Sequence, residues 1–296
     1  MNLAKKVYAF CKSKFNLIYG QLHLALKFHL GYDWLTLDCA ETSMAIKSGN
    51  LAIFTQTFNE GELLLYWEAY YEKFVGHENL FVLNNGGNDD SCQRLNRKTT
   101  VVNMPGGLVD LHNLAQMNGY FQRFLLLKYK WVLKVDVDEF MVCKGGLLEK
   151  LELLPDGIYS PERAVAVIHN KDKEAAFNYK KSLFNQRSNY IDEWPALKKP
   201  SLTSSPATWT IGNHHVKEKS SVLEGLWMVH LRYMDYERLL ERNNRWTRMT
   251  PSSLSANSTR AFSEIKVDTK DFTANELDER LAEARVDLPE WVLSSI

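Results

Sequence analysis

The chain has little cysteine, no net charge and no long apolar run. Only Cys11, Cys39, Cys92 and Cys143 occur in 296 residues, and no two stand at C-x-x-C spacing. That excludes a zinc ribbon and a disulfide-dense secreted scaffold, and points to reduced thiols in a cytoplasmic compartment. Lys+Arg and Asp+Glu are 36 each, so the basic excess of a dedicated nucleic-acid binder is absent and no nucleic-acid partner is expected. The longest early uncharged run, 15–26, carries Asn16, Gln21 and His23. It is too short and too polar for a span of about 20 apolar residues, and no small-residue cleavage site follows the basic start. Repeats and low-complexity tracts are also missing.

What remains is an average globular composition, 45% hydrophobic and 24% charged, with charge unevenly placed. The first 32 residues hold Lys5, Lys6, Lys12, Lys14 and Lys27 and no acid, interleaved with Tyr8, Phe10, Phe15 and Tyr19. This basic amphipathic pattern suits either a helix packed on the body or peripheral contact with an anionic membrane surface on the cytoplasmic face. Residues 267–296 carry eight acids and three bases, a net of −5. Leu277, Leu281 and Ala284 form one helical stripe there, and the Ser/Asn-rich run 252–258 reads as a linker. The division expected is a basic helical extension (1–49), a catalytic domain (50–245), and a linker with an acidic helical extension (246–296).

Strand and helix signals alternate through the middle. Residues 51–57, 80–83, 99–102 and 131–135 read as strands; 63–75 and 109–130 read as helices. Asn59, with Glu62 three positions on, has capping-box spacing. Alternation of this kind predicts an α/β fold with a mostly parallel central sheet flanked by helices, its strands buried on both faces.

The fourth strand runs into Asp136-Val-Asp138-Glu139-Phe140. Aspartates at i and i+2 on extended chain share a face, and the carboxyl end of a parallel strand is where open α/β sheets bind ligands. Two convergent carboxylates there suit a hard cation, Mn²⁺ or Mg²⁺, able to neutralise a departing diphosphate. A capped, solvated turn is the plain alternative.

The D-V-D-E-F element, together with Phe58-Asn-Glu-Gly and Trp67-Glu-Ala-Tyr70 upstream, resembles the family-2-like glycosyltransferases of GT-A fold over about residues 50–240. The resemblance implies a nucleotide-diphospho-sugar transferase fold and a metal-dependent, inverting transfer from a nucleotide sugar (a UDP-sugar favoured) to a glycan or lipid-linked acceptor. It places Thr57, Asn59, Glu60, Asn84, Asn85, Asp89 and Asp136 on the donor, with Lys198 and Arg232 on its diphosphate. Asn84 stands where relatives commonly carry Asp. Asp136, Asp138 and His230 would hold the metal; Trp209 and His214 lie on the acceptor side. Asp192 or Glu193, beside Trp194, would be the base that takes the acceptor's proton. Arg238, Arg242 and Arg245 form an i, i+4, i+7 stripe, which faces either an anion or water with Glu237 and Glu241 as partners. Two other readings stay open: a haloacid-dehalogenase-like phosphohydrolase with Asp136 as nucleophile, and a non-catalytic nucleotide-sugar binder.

Overall fold

The computed structural model describes residues 49–104, 111–193, 198–247, 269–283 and 285–296. The basic segment, the turn at 105–107, Trp194 and the 252–258 linker lie outside the described residues. The fold below belongs to the unit that spans residues 47–296.

Its strands are β1 (Gly49–Thr57), β2 (Leu80–Asn84), β3 (Thr100–Asn103), β4 (Tyr129–Lys134), β5 (Glu139–Cys143), β6 (Ile158–Ile168), β7 (Asn189–Asp192), β8 (Leu202–Thr203) and β9 (Ser221–Tyr233). The helices are α1 (Glu62–Val75), α2 (Ser91–Arg94), α3 (Leu111–Leu125), α4 (Leu147–Leu153), α5 (Tyr236–Thr247), α6 (Thr269–Ala282) and α7 (Glu290–Leu293). One sheet runs β3-β2-β1-β4-β8-β6-β9-β5, with β7 on β6. Its first four strands are parallel. Beyond β4 the pairing is mixed: β8, β7 and β5 are antiparallel to their neighbours, and only β6 and β9 run together. The sheet is therefore mixed rather than mostly parallel. The alternating helix–strand signal that predicts parallel pairing stops at β4.

Period-2 alternation in β1 covers both faces of the sheet. Leu51 and Ile53 join the large core with Leu63, Leu64 and Trp67 of α1. Ala52 and Phe54 join Leu125, Leu126 and Val132 on the face covered by α3. The aromatic run of α1 also holds the acidic turn in place. The Tyr71 hydroxyl donates to the Glu139 carbonyl (2.8 Å) and accepts from the Met141 amide (3.0 Å), and the Tyr70 hydroxyl donates to the Met141 carbonyl (2.8 Å).

The acidic C-terminal segment packs on this body. Leu277 joins Tyr233 and Leu239 in a small core, Val292 is fully buried, and the Trp291 ring meets Trp227 edge-on at 5.3 Å.

Candidate active site

The chain leaves β1 toward β2 and β3 on one side, and leaves its other neighbour, β4, toward β5 at the far end of the sheet. The gap outside the carboxyl ends of β1 and β4 is thus a topological switch point, where such sheets bind ligands. Thr57, Asn59 and Glu60 leave β1 there, and Asp136 and Asp138 follow β4.

The turn after β1 is built by its polar side chains. Asn59 takes a left-handed backbone (φ 56°), which Asn tolerates better than most residues. Its Oδ1 accepts from the Asn88 and Asp89 amides (2.7 and 3.0 Å), and its Nδ2 donates to Asn88 Oδ1 (2.9 Å). The capping box does not form: Gly61 is the helix cap and no side chain caps it. Asp89 instead accepts from the Gly61 amide (3.0 Å) and the Ser91 hydroxyl (2.6 Å), welding the two turns together. Asn84 Oδ1 accepts from the Gly87 amide (2.9 Å), and its Nδ2 donates to Asn103 (2.9 Å). The Asn85 amide donates to the Thr57 carbonyl (2.9 Å), while the buried Thr57 hydroxyl has no hydrogen-bond partner. Five of the expected donor residues, Thr57, Asn59, Asn84, Asn85 and Asp89, therefore form one connected pair of loops.

The two aspartates do not lie side by side on extended chain. The Glu139 amide donates to the Asp136 carbonyl (3.1 Å), closing a tight turn between β4 and β5. Asp136 faces the ammoniums of Lys134 and Lys199, one on each oxygen, and Lys199 also meets Glu139 at 2.7 Å. Burial alone would raise the Asp136 carboxyl; the two lysines outweigh it and hold the group far below the usual carboxylate range. Asp138 faces His230 Nε2 at 3.5 Å and Arg242 Nη1 at 3.6 Å. It is half-buried, as Asp136 is, and His230 and Arg242 keep it ionised against the effect of burial.

His230 sits on β9 opposite Glu139 of β5. Its Nδ1 is 3.0 Å from Glu193 Oε1, so the imidazole bridges two carboxylates. Burial opposes its charge, but Asp138 and Glu193 prevail and push its pKa up to about 9. Glu193, in turn, is held low against the effect of burial by His230, with smaller contributions from Arg280 and Arg232. As they stand, Asp136, Asp138 and His230 do not fit a divalent cation. Both oxygens of Asp136 carry ammoniums, and each ring nitrogen of His230 faces a carboxylate, so neither side chain has a lone pair turned to a common point. Among the described residues no group of three or more His, Cys, Asp or Glu is placed to hold a metal.

The arginine stripe of α5 turns inward rather than to water. Arg238 pairs with Glu60 at 2.7 Å, Arg242 reaches Asp138, and Arg245 donates to the Asn59 carbonyl and lies 3.7 Å from Glu60. Glu237 and Glu241, its expected partners, are exposed on the other side. Asp235 aims the helix, accepting from the Arg238 amide (3.0 Å) and the Phe177 amide (2.7 Å).

The remaining expected residues divide by strand alternation. Glu193 is turned in to His230, whereas Asp192, one residue earlier, is turned out and paired in a fork with Arg163. Both line an open pocket of about 400 Å³ with Glu162, Arg163, Ala164, Lys198 and Trp227. The Arg163 guanidinium lies 4.7 Å over the Trp227 ring. Arg232 pairs with Glu276 at 3.3 Å. Trp209 is 4% exposed, packed on Ala115, Ile158 and Ala207, with its indole N–H on the Pro200 carbonyl (3.1 Å); it is a core residue and offers no open face for a sugar. His214 follows a short helical turn (Ile211–Asn213) that contacts α3, where Asn118 reaches both Asn213 and Gln56 at 3.4 Å. This places His214 toward the carboxyl end of β1.

No family model matches the chain, and no curated protein matches it. Among solved structures it is similar to a mannose-1-phosphate geranyltransferase from Thermus thermophilus, at 8% identity and a TM-score of 0.30 over 76% of this chain and 68% of that one. A likeness that distant carries no argument about activity. No described helix is long and apolar enough to cross a membrane.

Proposed function

We propose that the protein is a glycosyltransferase that moves a sugar from a nucleotide-sugar donor to a glycan or lipid-linked acceptor. The observation that carries this reading is the acidic turn Asp136–Glu139, set at the switch point of the sheet and opposed by the joined loops of Asn59 and Asn84. The loops take the nucleoside, a uridine diphosphate being the favoured form. The pocket beside Glu193 and Trp227 takes the acceptor, where an aromatic face and converging polar groups suit a sugar.

In the transfer, the acceptor hydroxyl oxygen bonds to the anomeric carbon as the carbon–oxygen bond to the diphosphate breaks. The electron pair leaves with the diphosphate, and one displacement inverts the configuration. Glu193 lines the pocket and is kept ionised by His230, so it is the carboxylate placed to take the hydroxyl's proton. Asp192 is committed to Arg163 and positions that pocket wall. No observation favours phosphohydrolysis, because Asp136 has an ammonium on each oxygen in place of a phosphoryl group.

The test is donor hydrolysis and transfer with a panel of nucleotide sugars. Asp138→Asn and Glu193→Gln each abolish turnover, while Asp192→Asn raises KM for the acceptor more than it lowers kcat. Full turnover in Asp138→Asn refutes the reading, and tight nucleotide-sugar binding with no transfer to any acceptor favours a binding protein.

A further inference from the structure

Three guanidiniums meet at the acidic turn with more donors than acceptors. Arg238 and Arg242 come from α5, and Arg232 from the end of β9. Arg242 Nη1, Arg238 Nη1 and Arg232 Nε are all buried and lack a hydrogen-bond partner. Burial opposes the Arg242 charge most, Asp138 supports it, and Arg232 and Arg238 stand close enough to add to the opposition. Arg242 Nη1 faces Asp138 only at ion-pair distance, 3.6 Å, and buried N–H groups that make no hydrogen bond are costly to keep unless an acceptor arrives. The acceptor must be anionic and must present several oxygens, because the open donors come from separate side chains. Arg fits such a ligand well, since its planar fork meets paired oxygens.

Arg242 stands on Asp138 and Arg238 on Glu60, at the strand ends of the switch point, and Arg232, paired with Glu276, lies next to Arg242. We infer that Arg232, Arg238 and Arg242 form the cradle for the diphosphate of a nucleoside diphosphate, neutralising it as a leaving group with guanidinium N–H groups in place of a divalent cation. This rests on the nucleotide-sugar reading and adds the residues that meet the charge. It also accounts for the two lysines on Asp136 and for Arg242 on Asp138: the carboxylates are already met by cations of the chain and serve to fix them in place. Pre-placed donors of this kind stabilise developing charge with little reorganisation.

The experiment is isothermal titration of the full chain with UDP and with inorganic pyrophosphate, in EDTA and again in Mn²⁺. It compares wild type with Arg242→Gln, Arg242→Lys and Arg238→Gln, each checked for folding by circular dichroism. Both ligands bind in EDTA; Arg242→Gln and Arg238→Gln weaken them by about 10- to 100-fold, the scale of a lost charge-assisted bond. Arg242→Lys keeps the ion pair with Asp138 but loses the fork, and falls between. Binding that appears only with Mn²⁺, or affinities indifferent to all three substitutions, overturns the cradle. UDP binding that ignores the arginines leaves the nucleotide-sugar reading standing without the cradle. Arginine-dependent pyrophosphate binding with no added affinity for UDP does the reverse. Failure of both ligands to bind folded wild type overturns both.

Discussion

His230 makes the stability of the fold depend on pH in a defined window. Its imidazole ordinarily titrates near 6.5 and is pushed up to about 9 between Asp138 and Glu193. Between those values the native chain keeps a proton that the unfolded chain has lost. The unfolding free energy therefore falls as pH rises, with a slope of about −1.4 kcal/mol per unit. Over the whole window the loss is about 3 kcal/mol, with full stability present below about 6.5 and the contribution gone above about 9. Cys92, pushed up to about 11 by burial and Asp89, and Cys143, raised by burial, add their own slope from about pH 8, so pH 6 to 8 isolates the histidine. Urea unfolding at half-unit steps measures it, with His230→Gln in parallel. The glutamine side chain can bond both carboxylates but carries no charge, so the variant's curve is flat where the wild type falls. A flat wild-type curve, or an equal slope in the variant, refutes the assignment of an imidazolium at this position.

Four further outcomes follow from local geometry. Glu193→Gln removes one of the two anions on His230 and lowers the imidazole titration midpoint by roughly one unit, read by ¹H–¹⁵N NMR; an unchanged midpoint places the whole shift on Asp138. Gly87→Ala would set a Cβ 2.9 Å from Asn59 Oδ1 and 3.0 Å from Asn84 Oδ1, costing about 1–3 kcal/mol in urea unfolding and weakening UDP as the two loops part. Arg187, 1% exposed on its side chain, serves Glu174, Asp235 and the Gln186 carbonyl; Arg187→Leu costs about 3–5 kcal/mol and, through Asp235, loosens the start of α5. Val292→Ala costs about 1–3 kcal/mol if the C-terminal segment docks as described, and nothing measurable if it does not.

Much of this fold is legible in sequence because short-range signals and tertiary structure agree. The four parallel strands fall within two residues of their apolar runs, since β1, β2 and β4 are largely buried on both faces and the half-buried edge strand β3 still centres on two valines. The joined loops of Asn59, Asn84 and Asp89 show as polar clusters at strand ends, though their bonds to one another do not. The second half of the sheet is illegible for a topological reason. β8 has two residues and β7 four, too few for a period to show, and nothing local reports whether a strand runs parallel or antiparallel. Trp209 misleads because an indole beside polar residues looks the same in sequence whether its face is open or, as here, packed on alanines.

The site divides along the same line, between residue type and direction. Composition at a strand end finds the acidic turn, but what balances its charge lies 63 residues on, at Lys199, and across the molecule on β9 and α5. The stripe Arg238, Arg242 and Arg245 is plain at helical spacing, and spacing fixes only that the three share a face. Which way that face turns is set by Asp235, bonded to the Phe177 amide, and by the sheet end on which α5 rests. With the face turned inward, the arginines stop being a solvated stripe and become counter-charges to Glu60 and Asp138. A D-x-D turn enclosed by lysine, histidine and arginine presents positive charge to whatever enters the crevice, the opposite of what its two aspartates alone would offer. On the proposed nucleotide-sugar reading, an anionic donor would be met first by cations of the protein itself, with the acidic pair holding those cations in position.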